Sequence, residues 1–374
     1  MRLIYVTEQL YLHGGAEKIL TQKLNYWADV YNYDVLLITS EQNNNPICYP
    51  LSKKVKHIDL NIGYNNGSYF NFKNIIKFPK HFVKLRKEIK KFNPNAIFLI
   101  SLTWIRFALP LIAYEFRIYN EYHTSYYGFK LGYNNSSALG KIKKIISENL
   151  IKIIENYYTN IIFLNIQEFN FYRRKNGVII PNFFDNNIYS GETTKKNQVI
   201  SLGRMSYQKG YDMLLDAWAI VDDKIIGWEL NIYGNGENKE ILKSKMKAYN
   251  FQNKVHINDA ISDVNKKLSE SQFYVMSSRF ETFPMVLLEA LSNGLPVISF
   301  DCPTGPKSIL TNNEDGILVE PNNIEKLAKK IHLLIENYEL RNRMSKKAKT
   351  NVIRFKPEFI MPLWDNLINK KRSV

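Results

Sequence analysis

The stretch Ser277-Ser278-Arg279-Phe280-Glu281-Thr282-Phe283-Pro284-Met285-Val286-Leu287-Leu288-Glu289-Ala290-Leu291-Ser292-Asn293-Gly294-Leu295-Pro296 governs how the rest of the chain is read. An apolar run stops near Ser277, Pro284 stands where the first turn of a helix tolerates a missing N–H, and Gly294 is placed to end that helix before Pro296. The helix is short and apolar, and the apolar residues 296–300 after it form another strand. Strand, loop, helix and strand in that order make one crossover of a parallel sheet. Two carboxylates interrupt the pattern, Glu281 in the loop and Glu289 in the helix, the latter among Val286, Leu287, Leu288 and Leu291. A carboxylate in apolar surroundings is costly without polar partners, and ribose hydroxyls are suitable donors to it. Ordinary surface carboxylates are the plainer alternative.

The same grammar extends in both directions. Strand-like runs at 3–7, 34–39, 56–60, 96–101, 118–123, 161–164 and 178–181 alternate with helical patterns, and further runs follow at 198–202, 228–233, 254–257, 273–277, 296–300 and 316–319. Such alternation predicts an α/β fold of two similar domains, each a parallel sheet covered by helices. A length of 374 residues agrees, since it exceeds what one core usually serves. The polar segment 183–197 reads as the linker. The expected division is a first domain at 1–182, a second at 198–355, and a helical segment at 356–374 that crosses back to the first domain.

Composition narrows the class. With 45% hydrophobic and 23% charged residues the balance is that of an ordinary folded protein. The two cysteines, Cys48 and Cys302, lie far apart without a CxxC or a histidine at metal spacing, so neither a disulfide framework nor a zinc site is expected. Residues 1–12 carry one basic side chain and Glu8 inside a short apolar run, unlike a secretory signal, which points to a cytoplasmic protein beginning at residue 1. Residues 96–116 are apolar enough to raise a membrane span, but Arg106, Pro110 and Glu115 break them and a buried strand followed by a helix explains them better.

Net charge is +16 and uneven: residues 1–190 hold 24 Lys and Arg against 13 Asp and Glu, hence +11, leaving 27 against 22, hence +5. The first domain therefore suits an acidic partner. Residues 73–91 carry Lys73, Lys77, Lys80, Lys84, Arg86, Lys87, Lys90 and Lys91 against Glu88 alone, and residues 142–158 place Ile142, Ile145, Ile146, Leu150, Ile153, Ile154 and Tyr157 at helical spacing. An anionic membrane surface and a solvated helix beside a core-facing one both fit, because periodicity does not separate core from lipid.

Two further places carry candidate chemistry. Gly14 and Gly15 follow the opening strand and start a helix, where backbone amides and the helix dipole favour an anion; a plain turn reads almost as well. Gly203 and Arg204 follow the strand at 198–202, with Lys209 and Gly210 soon after, and a guanidinium fork beside an ammonium suits a diphosphate. The near match Gly234-Asn235-Gly236 lacks the third glycine of a dinucleotide fingerprint, which argues against a nicotinamide or flavin cofactor.

Glu281 and Glu289 stand at the Glu-x7-Glu spacing of the retaining glycosyltransferases of family 4, which have the GT-B fold of two Rossmann-like domains facing a central cleft. With the Gly-Arg and Lys-Gly pairs before them and the Gly-Gly turn near residue 14, the chain resembles that family in order over nearly its whole length. The run Ser299-Phe300-Asp301-Cys302-Pro303-Thr304-Gly305-Pro306 is similar to members that build bacterial surface polysaccharides and glycans. The resemblance implies that Arg204 and Lys209 hold the diphosphate of a donor, preferably a UDP-sugar, with Gly203 and the backbone around Phe283 and Met285 beside it. It further implies that Glu289 binds the ribose and Glu281 contacts the transferred hexose or N-acetylhexosamine. Gly14 and Gly15 would border phosphate or acceptor, and His123, at a strand's carboxyl end, resembles the family's cleft histidine; the family often follows it with Asp where this chain has Thr124.

No Asp-x-Asp occurs anywhere in the sequence, so no metal or other cofactor is expected and the cations with helix amides would neutralise the diphosphate. The basic first domain and the resemblance together imply a polyprenyl-linked glycan acceptor and a peripheral position on the inner face of the plasma membrane. The main rival, a basic nucleic-acid-binding protein, explains the charge but leaves Arg204, Lys209, Glu281 and Glu289 as coincidences. A catalytically silent nucleotide-sugar binder would carry the same donor pocket.

Overall fold

The computed structural model describes residues 1–65, 67–100, 103–128, 138–184, 191 and 193–370, with backbone alone for 138–146. Two compact units form: Met1–His123, Lys130–Ile180 and Trp364–Val374 make the first, and Thr124–Phe129 with Pro181–Leu363 the second.

Unit 1 contains a sheet of β1 (Arg2–Thr7), β2 (Asp34–Thr39), β3 (Lys56–Asp59), β4 (Ala96–Leu99), β5 (Arg117–Tyr122), β6 (Asn160–Phe163) and β7 (Gly177–Ile179), in the order β3-β2-β1-β4-β5-β6-β7. Unit 2 contains β8 (Gln198–Leu202), β9 (Glu229–Tyr233), β10 (Val255–Asn258), β11 (Phe273–Met276), β12 (Val297–Phe300) and β13 (Gly316–Val319), in the order β10-β9-β8-β11-β12-β13. Every ladder between these strands is parallel. Each expected strand is present; central strands such as β1, β2 and β4 are covered on both faces and read as unbroken apolar runs, while the edge strands β3, β7 and β10 are only partly buried. Each order starts from a central strand, winds outward, and then reverses, which is the doubly wound Rossmann arrangement. The reversal falls between β1 and β4 in unit 1 and between β8 and β11 in unit 2, and the crevice outside such a reversal is where open α/β sheets bind ligands.

Within residues 96–116 lie β4 and the helix Ile105–Ile112, and Arg106 in that helix is buried against Glu155 at 2.6 Å. No described helix is long and apolar enough to cross a membrane.

One face of the unit 1 sheet is an aromatic ladder. Tyr5, Phe98 and Tyr119 stand in register across β1, β4 and β5, their rings stacked with centroids 4.8 Å apart at both steps. Trp27 of the helix Gly15–Asp29 and Trp364 of the helix Pro357–Asn369 pack over Phe98 at 5.2 and 5.7 Å. From Trp364 onward that last helix belongs to unit 1, where Arg117 donates to the Ile368 carbonyl at 2.7 Å and the Tyr33 hydroxyl donates to Asp365. Truncating a fully buried tryptophan leaves a large cavity. Trp364→Ala should therefore lower stability by about 3–5 kcal/mol, seen as an earlier unfolding midpoint in denaturant; an unmoved midpoint would show that the helix does not close this face.

Candidate active site

The unit 2 site is built at the carboxyl ends of β8, β9 and β11. The loop after β8 carries Gly203 and Arg204, and the loop after β9 carries Gly234, Asn235 and Gly236; the two are zipped backbone to backbone. Gly203 N–H donates to the Tyr233 carbonyl at 3.0 Å, Met205 N–H to Asn235 at 2.9 Å and Asn238 N–H to Met205 at 2.9 Å. Gly234 has φ +156°, and a Cβ there would stand 1.9 Å from the Gly203 carbonyl oxygen, so the close approach requires glycine. The Gly-x-Gly pair that fails as a dinucleotide fingerprint thus shapes the Gly203–Arg204 turn, a role the sequence reading missed.

Lys209 ends a 3₁₀ turn, and its Nζ lies 2.6 Å from Glu281 Oε1, which also accepts from Ser278 Oγ at 2.8 Å. Two backbone-level stitches hold the loops together: Arg279 N–H donates to the Gln208 carbonyl at 2.7 Å, and Gln208 Nε2 donates to the Phe280 carbonyl at 3.0 Å. Arg279 forks onto Asp212 at 2.9 and 2.6 Å with its guanidinium 4.1 Å over the Tyr207 ring. The Thr304 hydroxyl, 3.1 Å from Ser125 Oγ, donates to the Glu281 carbonyl. Lys209 and Arg279 are therefore committed to carboxylates. The Arg204 guanidinium is exposed, and no described residue engages it.

Pro284 is the cap residue of the helix Met285–Ser292, one position before the helical turn expected for it, and it makes no side-chain cap bond. The helix is buried through Leu287, Leu288, Ala290 and Leu291, while Met285, Val286 and Glu289 form a partly accessible stripe at i, i+1 and i+4. This corrects the expectation that apolar neighbours enclose Glu289: Leu287, Leu288 and Leu291 point inward and leave it on the open side. Glu281, in contrast, is buried. The Phe283 ring is buried at 5.8 Å from Phe355, so what Phe283 offers a ligand is backbone. Among the described residues no group of three His, Cys, Asp or Glu could hold a metal ion.

In unit 1, Gly14 caps the helix Gly15–Asp29 without a side-chain bond, and the Glu17 carboxylate, bonded to Gln9 Nε2 at 2.9 Å, sits against Gly14. That helix N-terminus already has an anion beside it. His123 directly follows β5, and its Nε2 lies 3.0 Å from Glu121 Oε2. The same oxygen accepts from Lys23 Nζ at 2.6 Å, while Oε1 accepts from the Tyr5 hydroxyl at 2.6 Å; Lys23 Nζ also lies 3.8 Å over the Trp364 ring. Burial alone would raise the Glu121 carboxyl, but the Lys23 ammonium beside it, with the hydrogen bonds from His123 and Lys23, outweighs burial and holds the carboxyl below the usual carboxylate range. Glu121 and Lys23 were not among the residues singled out from sequence.

The basic run divides. Lys84 and Arg86 donate to the carbonyls of Leu60 and Ile112 at 2.6 and 2.8 Å, Lys77 donates to that of Gly63, and Lys90 lies 3.7 Å from Glu115. Lys73, Lys80, Lys87 and Lys91 are exposed, beside exposed Phe72, Ile76 and Val83. Of the apolar helix, Leu150, Ile153 and Tyr157 are exposed whereas Ile154 packs on the core; the side chains of Ile142, Ile145 and Ile146 lie outside the described residues.

Residues 185–351 match the family of glycosyl transferases group 1. Over 381 aligned residues the chain is 28% identical to the amylovoran biosynthesis glycosyltransferase AmsD of Erwinia amylovora, covering 98% of this chain and 99% of that one. The chain is a glycosyltransferase. It is also 28% identical, over 43% of each chain, to the N-acetylgalactosamine-N,N'-diacetylbacillosaminyl-diphospho-undecaprenol 4-alpha-N-acetylgalactosaminyltransferase of Campylobacter jejuni. Among solved structures, Staphylococcus aureus TarM in complex with Fondaparinux, alpha-GlcNAc-glycerol and UDP superposes with a TM-score of 0.77 at 16% identity, covering 99% of this chain and 100% of that one. The glycosyltransferase thus has the two Rossmann-like units of the GT-B fold.

The zipped turns of unit 2 admit a direct check. In Gly234→Ala the added methyl meets backbone, which cannot rotate away, so stability should fall by about 1–3 kcal/mol. The midpoint of denaturant unfolding reads this, and a midpoint like that of the parent protein would show that the two turns are not in contact.

Proposed function

We propose that this glycosyltransferase is a retaining, metal-independent enzyme that moves a hexose or N-acetylhexosamine from a UDP-sugar to a lipid-linked glycan acceptor in surface polysaccharide assembly. The observation that carries the reading is the unit 2 constellation: an exposed guanidinium at Arg204, the Lys209–Glu281 pair, a helix N-terminus at Met285 whose cap residue Pro284 makes no side-chain bond, and a partly accessible Glu289, gathered at the sheet's reversal. Arg204, Lys209, the Gly203 turn and the amides near Phe283 and Met285 hold the diphosphate and stabilise charge on it as it leaves. Glu289 accepts from the ribose hydroxyls. Glu281 keeps Lys209 in place and contacts the transferred sugar.

In unit 1, His123 and the Gly14–Gly15 turn serve the acceptor and the reacting sugar; Glu17 beside Gly14 disfavours a phosphate there. The acceptor oxygen bonds to the anomeric carbon on the face from which the phosphate leaves. The carbon–phosphate-oxygen bond breaks, and the departing oxygen takes the acceptor's proton. The name of the Campylobacter jejuni relative, a diphospho-undecaprenol enzyme, supports the lipid-linked acceptor, and that of AmsD supports polysaccharide assembly. Exposed Lys73, Lys80 and Lys87 among Phe72, Ile76 and Val83 support a peripheral place on the cytoplasmic face of an anionic membrane.

The two carboxylates should fail differently. Glu289→Gln weakens charge-assisted bonds worth about 1.5–3 kcal/mol, so UDP affinity should drop roughly ten- to a hundredfold. Glu281→Gln keeps an acceptor for Lys209, so UDP affinity holds while single-turnover transfer slows. Calorimetry beside a transfer assay on lipid extract with labelled UDP-sugars, run in excess EDTA, tests both. Wild-type UDP affinity in Glu289→Gln, full-rate transfer in Glu281→Gln, or loss of activity to the chelator would each defeat the corresponding assignment, and nucleotide binding without product would leave a silent binder. For the membrane reading, Lys73→Glu, Lys80→Glu and Lys87→Glu together remove three charges worth about 1 kcal/mol each near the surface. Partition onto anionic vesicles should fall on the order of a hundredfold, and undiminished binding would return these lysines to solvent.

A further inference from the structure

Glu121 and His123 are two residues apart on β5 and its carboxyl end, so they lie on one face of the sheet, the face that carries Tyr5 and Tyr119. The carboxylate is ionised and has no proton to give. In a hydrogen bond between it and His123 Nε2, the hydrogen must therefore be on the nitrogen. In a neutral imidazole this places the lone pair on Nδ1, and no described residue engages that atom.

Whether the imidazole is neutral depends on how the Glu121 charge is balanced. The charged groups facing it are Lys23 from the helix Gly15–Asp29 and His123 from its own segment, and Tyr5 from β1 contributes a neutral hydroxyl whose ionisation burial strongly opposes. Lys23 is buried with its ammonium against the Trp364 ring, so it is as confined as the carboxylate. One buried positive charge already offsets one buried negative charge. A second proton, on His123, would leave the enclosed group with net positive charge.

We propose that Glu121, with Lys23 as its counterion, is a positioning residue that holds His123 as the neutral Nε2–H tautomer, leaving Nδ1 as an acceptor for a substrate hydroxyl. This rests on the reading of His123 as a residue of the transfer reaction. It adds what that reading lacked, which is the ring nitrogen that faces substrate and the group that sets its protonation. Lys23 touches no substrate; it acts by making protonation of His123 unnecessary.

The tautomer is read directly from the ¹⁵N shifts of His123 in protein labelled at histidine, without any activity measurement. At pH 7 the Nε2–H pattern is expected, and an Nδ1–H or imidazolium pattern would overturn the proposal. Lys23→Met leaves the Glu121 charge to His123, so the imidazole should be protonated at pH 7, with transfer down at least about tenfold and recovering as pH rises, while UDP affinity is unchanged. Lys23→Arg keeps the charge and should restore the wild-type pH profile. A Lys23→Met protein that is merely less stable, with an unmoved pH profile, would overturn the role given to Lys23. Should that variant not fold, the wild-type spectrum still decides the tautomer. Absence of any glycosyl product from the wild-type protein would defeat the proposed function instead, and the spectrum would stand apart from it.

Discussion

A parallel sheet brings the carboxyl ends of all its strands to one edge, and the candidate site of unit 2 follows from that constraint. Apolar runs such as Gln198–Leu202 and Phe273–Met276 are covered on both faces and cannot carry polar chemistry. In unit 2 the candidate polar residues lie in the loops just beyond the strand ends, and the reversal between β8 and β11 opens a gap there with no strand end to fill it. Gly203, Arg204, Lys209 and Glu281 lie in that gap because the winding of the sheet leaves room nowhere else.

Charge within both units is allotted in pairs. Lys209 is held by Glu281 and Arg279 by Asp212 in unit 2; Lys23 is held by Glu121, and Arg106 with Arg174 by Glu155, in unit 1. A buried ion without a partner would cost several kcal/mol, which is enough to decide a fold of ordinary stability. Among the described residues at these strand ends Arg204 is the exposed exception, which is why the proposed diphosphate is assigned to it. Pairing also explains why a strongly basic run is less available than its composition implies, since Lys77, Lys84, Arg86 and Lys90 are spent on nearby carbonyls and Glu115.

What was legible in the sequence is what depends on neighbours along the chain. The thirteen strands among the described residues could be placed because they alternate with helical patterns, the central ones such as β1, β2 and β4 as unbroken apolar runs, and the Glu281 to Glu289 segment could be placed because Pro284 and Gly294 bracket a helix. What was not legible depends on residues far apart. Lys23 and Glu121 are separated by 98 positions and meet only after β1 and β5 are assembled on either side of β4. Gly234 was dismissed because a motif template was applied to it alone, whereas its role lies in the Gly203 carbonyl opposite. The outward face of Glu289 required the helix to be docked, since four apolar neighbours in sequence say nothing of which side they bury.

The helix carrying Trp364 also has a consequence for biosynthesis. Unit 1 is interrupted in the chain by residues 181–363, which belong to unit 2, and the cover that Trp27 gives its aromatic ladder is completed by Trp364, which follows them. As the polypeptide leaves the ribosome, the unit 2 sheet is fully synthesised first. Until Trp364 emerges, Trp27 and Phe98 lack the ring that packs on them and the Lys23 ammonium lacks its aromatic roof. That gives a chaperone a defined interval and a defined surface on which to act.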